Sequence, residues 1–112
     1  MKKLIAILPA LFLAQAFAAD PPAAQPATHR YLIERTFPAG ALDGLDAAAK
    51  SKINATNAQF GVHWVTSYAT ADKTRTFCIY EAPNEAAVRK AATANNIPVD
   101  SVTEVPVTLL PN

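Results

Sequence analysis

Side chains from Arg30 to Phe37 alternate. Tyr31, Ile33 and Arg35 fall on one phase and Leu32, Glu34 and Thr36 on the other, which predicts a strand. Pro38 and Gly40 break the run. From Leu42 the period lengthens: Leu42, Leu45, Ala49, Ile53, Thr56 and Phe60 recur every three or four residues, as on one helix face. Asp43 is placed to cap the start of that helix, and Gly61 to take the left-handed position past its end. Val62 to Thr70, rich in β-branched and aromatic residues, predicts a second strand, and Thr74 to Glu81 a third. A turn at Ala71-Asp72 makes the two a hairpin. Asn84 is placed to cap a second helix with a slim apolar face of Ala87, Val88, Ala91 and Ala92. Asn95-Asn96 and Pro98 stop it. Val102 to Leu109 predicts a last strand. Pro106 cannot donate a ladder hydrogen bond, so this strand belongs at an edge or carries a bulge.

The order βαββαβ predicts an α+β fold of the ferredoxin-like plan, with a four-stranded antiparallel sheet and both helices on one face. A hairpin symmetric about Ala71-Asp72 places Trp64, Thr66, Phe77 and Ile79 on one face. Being the more apolar set, they are expected against the helices with Tyr31 and Ile33. The open face is then expected to hold Leu32, Glu34, His63, Val65, Ser67, Thr76, Cys78, Tyr80 and Glu104. Leu32, Val65 and Tyr80 would leave an apolar patch there, which predicts a homodimer.

The first 29 residues predict something other than a domain. Lys2 and Lys3, the apolar run Leu4 to Leu13 and Ala16-Phe17-Ala18 read as a signal peptide over residues 1–18. Residues 19–29 (ADPPAAQPATH) form a Pro/Ala-rich linker without the apolar side chains to offset its ordering entropy, and His29 reads as its solvated end. The domain spans 30–112, and the location is exported and periplasmic, with no membrane attachment after cleavage. The full chain of 112 residues carries ten basic and nine acidic side chains. Loss of Lys2 and Lys3 leaves a net charge of −1, which argues against nucleic acid as a partner. The single cysteine, Cys78, excludes an internal disulfide, so the core must carry the stability. Three glycines in all, none in a phosphate-loop pattern, disfavour nucleotide binding.

Glu34, His63, Cys78 and Glu104, sharing one expected surface, offer carboxylate, imidazole and thiolate, the ligand types for nickel, copper or zinc. The plainer roles are Cys78 as a small core residue, Glu34 paired with an arginine and His63 in solvent. A Cys78–His63 nucleophilic pair is disfavoured, because a mid-strand thiol has no helix N-terminus to activate it. An enzyme is therefore the less favoured class.

Four segments carry a resemblance. They are Tyr31 to Phe37, His63 to Tyr68 with Asp72, Thr76 to Pro83, and Ile97 to Asp100 with Val102 to Val105. Over residues 30 to about 108 the chain resembles a family of small bacterial domains of unassigned function, one branch of which is named as nickel-binding and typified by a Streptomyces protein. The resemblance implies a ferredoxin-like fold that pairs by sheet packing as a dimeric α/β barrel, and a role with nickel or another divalent transition metal. The family's motif residues here are Glu34, Arg35, Trp64, Ser67, Tyr68, Cys78, Tyr80 and Glu81. His63 stands outside that motif, and Asn96 stands where relatives tend to have Gly. The leading expectation is an exported, metal-binding domain. The alternatives are a small-molecule-binding or enzymatic protein and a protein-interaction module without a ligand.

Overall fold

The computed structural model describes residues 27–112. The signal-peptide assignment, and the linker as far as residue 26, lie outside them. Four strands and two helices follow in the order βαββαβ. They are β1 (His29–Thr36), α1 (Ala47–Ala58), β2 (His63–Ala69), β3 (Arg75–Ala82), α2 (Glu85–Ala94) and β4 (Ser101–Glu104), with a 3₁₀ turn at Ala41–Gly44 before α1. The sheet is antiparallel in the order β2-β3-β1-β4. This is the ferredoxin-like plan the sequence predicts. The barrel expectation is corrected: β2 and β4 are the free edges of one open sheet, and no barrel closes.

The helices begin where side chains can cap them. Asn84 accepts from the Ala87 amide at 2.8 Å, as predicted for α2. For α1 the cap is Asp46, accepting from Ala49 at 2.8 Å, and not Asp43. The 3₁₀ turn interrupts the predicted helix, yet Leu42, Leu45, Ala49, Ile53, Thr56 and Phe60 are all half-buried, so the apolar face survives the break. Gly61 and Asn96 adopt the left-handed conformation past the two helices, at φ 71° and 57°. β4 stops at Glu104, short of Pro106, and lies at an edge.

The core is the helix side of β1 and β3. Tyr31, Ile33, Cys78, Tyr80 and Ala82 pack with Val62, Val88 and Ala91. Here the sequence-based face assignment is corrected. Tyr31 pairs with Tyr80 and Ile33 with Cys78, so Cys78, Tyr80 and Thr76 face the helices, while Phe77 and Ile79 look out on the open face. The reason lies in β2. An irregularity between Trp64 and Thr66 pairs Trp64 with Tyr80 but Thr66 with Ile79. The bulged Val65 flips the phase of the strand, so Trp64 joins the core and Thr66 does not, and reasoning from Trp64 across to Ile79 inverts β3.

Candidate ligand-binding cleft

The four residues expected to share one surface are not brought together. Cys78 is buried on the helix side, with its Sγ 3.5 Å from the Thr76 hydroxyl oxygen. Glu34 is on the open face, but it accepts from Arg75 at 3.3 Å and from the Ser101 hydroxyl at 3.1 Å. His63 is exposed opposite Glu81, while Glu34 stands opposite Phe77. Strand geometry puts those two positions roughly 15 Å apart. Glu104 pairs with Tyr31 and so points to the helix side, where its Oε2 is 2.9 Å from Nδ1 of His29. His29 is thus the first residue of β1 and not a free linker end. Among the described residues no group of three or more His, Cys, Asp or Glu side chains is placed to hold a metal ion.

What the fold does build is a cleft of 790 Å³ on the helix side of the sheet. Its floor is Arg35 from β1, Thr76, Cys78 and Tyr80 from β3, and Trp64 and Ser67 from β2. The opposite wall is Ala41, Leu42 and Leu45 from the 3₁₀ segment and Ile53 from α1, with Pro98 closing one side. The cleft exists because α1 packs thinly. Its sequence, AAAKSKINATNA, buries only Asn57, near its C-terminal end. Ala and Lys side chains at its start cannot fill the space above β2, so Leu42, Leu45, Ile53 and Trp64 are left half-buried around a gap. Protein interiors are close-packed, and a gap this large falls in the size range of small-molecule sites.

Two features organise the floor. Trp64 and Tyr80 stack with ring centroids 6.4 Å apart and planes inclined by 22°, and the Trp64 indole N–H donates to the Ser67 hydroxyl at 2.8 Å, which fixes the indole. Beside this shelf lies Arg35, only 3% exposed. Its Nη1 donates to the Pro98 carbonyl at 2.8 Å and its guanidinium carbon lies 5.5 Å from the centre of the Tyr80 ring. None of the ion pairs among the described residues includes Arg35. Burying a cation without a counter-charge is costly, and one carbonyl and one π-face offset that only in part. Burial raises the Tyr80 phenol above its ordinary range, against the opposing pull of Arg35, so the hydroxyl stays protonated at neutral pH. Behind it, Asn57 is 2% exposed. Its Oδ1 accepts from Asn95 at 3.0 Å, while its Nδ2 has no hydrogen-bond partner.

Among the described residues, the lining contains no Asp, Glu or His. Its charges are Arg35 and, from the exposed α1 residue, Lys50. Such a site can bind, orient and exclude water. Sequence reasoning assigned no binding role to Arg35, although the signal was present: Arg35 sits on the same strand phase as Tyr31 and Ile33.

The model of a protein family described as "SCO4226-like: Nickel responsive protein SCO4226-like" matches residues 31–105. This chain belongs to the SCO4226-like family. The match runs from the third residue of β1 to just past the end of β4. A solved structure titled as a crystal structure analysis of SCO4226 from Streptomyces coelicolor A3(2) superposes with a TM-score of 0.61 at 20% identity. It covers 71% of this chain and 99% of that one, and it shows the shared fold. No curated protein matches the sequence. The description of the SCO4226-like family names nickel, but the described residues do not fit a resident nickel ion. Their thiol is buried, no three of their His, Cys, Asp or Glu side chains converge, and the cleft carries two cations and no carboxylate.

Proposed function

We propose that this SCO4226-like protein is an exported ligand-binding domain, not an enzyme, and that its ligand is a small organic molecule held in the cleft between the sheet and α1. The observation that carries this reading is the cleft itself: 790 Å³, largely apolar, with a stacked Trp64–Tyr80 shelf and a buried arginine on its floor. Export rests on the N-terminal sequence pattern. A second reading, direct binding of a divalent metal, is favoured by the description of the family and by the His29–Glu104 contact at 2.9 Å, which joins an imidazole to a carboxylate at the sheet edge. Both partners there are more than two-fifths exposed, so such a site would need further ligands from solvent or another molecule.

One preparation distinguishes the two. The protein, purified under native conditions, is analysed by native mass spectrometry and by metal analysis. The cleft reading expects a bound organic mass that is lost on denaturation. Bare protein, or nickel at one ion per chain with no organic mass, would count against it.

A further inference from the structure

We infer that the cleft ligand is an organic carboxylate: an anionic head against Arg35 and an apolar body between the Trp64–Tyr80 shelf and the Leu42–Leu45–Ile53 wall. This rests on the cleft reading and adds the chemical class of the ligand.

Charge is the first argument. The lining carries two cations, Arg35 and Lys50, and no carboxylate. The sheet's own acidic residue on β1, Glu34, is on the opposite face and is engaged by Arg75 and Ser101. Arg35 therefore has no internal counter-ion among the described residues, and a ligand anion would provide one.

Hydrogen-bonding capacity is the second. Guanidinium presents five N–H donors in a planar fork; the Pro98 carbonyl takes one of them, and the Tyr80 hydroxyl lies close to the group. The remaining donors match the two oxygens of a carboxylate. Thr76 and Tyr80, which each carry a hydroxyl group, line the same cleft.

The rest of the lining is the third. Leu42, Leu45, Ile53 and Trp64 are half-buried side chains whose exposed surface is turned to the gap. A wholly polar anion would leave that surface unpartnered. An acid with an apolar chain or ring would cover it.

The chain contains a single tryptophan, and it lines the cleft, so its emission reports on this site alone. The test titrates the full purified chain with octanoate and, separately, with octan-1-ol, which has the same chain length and no charge. Octanoate is expected to shift Trp64 emission saturably, with octan-1-ol at least about tenfold weaker. Arg35→Gln is expected to weaken octanoate by about 10- to 100-fold, removing most of its advantage over octan-1-ol. The comparison of the two compounds on the unaltered protein needs no variant, so it stands even where Arg35→Gln fails to fold. Equal binding of acid and alcohol would overturn the carboxylate inference and leave the cleft reading intact. No response to either compound would remove both.

Discussion

Asp43 and Asp46 are three residues apart in a polar, glycine-containing segment, and only one of them caps a helix. Asp46 is followed by twelve helical residues that begin with three alanines, and its side chain accepts the Ala49 amide. Asp43 stands in the 3₁₀ turn, where its carboxylate is 4.0 Å from Lys73 with both side chains exposed. Asp46→Ala is expected to cost about 1 kcal/mol in urea denaturation. Asp43→Ala is expected to change stability by less than about 0.5 kcal/mol. The reverse ranking would mean that the helix starts where the sequence period first suggests. The periodicity could not separate the two, because Leu42 and Leu45 continue the apolar face across the break. Asn84 was legible because Pro83 and the Ala-rich run after it leave no competing cap. Arg35 was half legible: its strand phase gives burial, but nothing in the sequence shows that it lacks a carboxylate partner.

At the level of the elements, the β2–β3 hairpin decides which side of the sheet carries which chemistry. Asp72 gathers its turn, accepting from the Thr70 hydroxyl at 2.7 Å and from the Thr74 amide and hydroxyl at 3.0 and 2.8 Å. The three bonds hold the Asp72 carboxyl below its ordinary range, that from Thr70 most strongly. Thr70 and Arg75 close the loop, and the bulge at Val65 then shifts the register by one. A bulge leaves no mark in a run such as HWVTSYA, so strand positions were legible while the faces of β3 were not. Cys78 tests the outcome. On the helix side, 4% exposed at the floor of the cleft, it is expected to react with a bulky thiol-specific reagent far more slowly in the native protein than in urea. Equally fast labelling without urea would return Cys78 to the open face and invalidate the register described above.

For the whole molecule, the fold follows from the order of its elements. The family was legible too, because its segments lie on the strands and the turns that join them. The cleft was not. Its volume depends on how far α1 stands from β2, which follows from the small and polar side chains of Ala47–Ala58 and from the 3₁₀ turn that sets the entry angle of the helix. Glu34, His63, Cys78 and Glu104 do not meet on one patch: Cys78 and Glu104 lie on the helix side, and Glu34 and His63 stand four residues apart along the open face.

Amide-resolved NMR locates the binding site on the chain. Uniformly ¹⁵N-labelled protein would be titrated with octanoate and the shifted resonances mapped on the chain. Saturable shifts are expected at Arg35, Leu45, Ile53, Cys78, Tyr80 and the Trp64 indole N–H, with Leu32, Phe77 and Ile79 on the open face moving least. Shifts confined to the open face, or to His29 and Glu104 at the sheet edge, would contradict binding in the cleft.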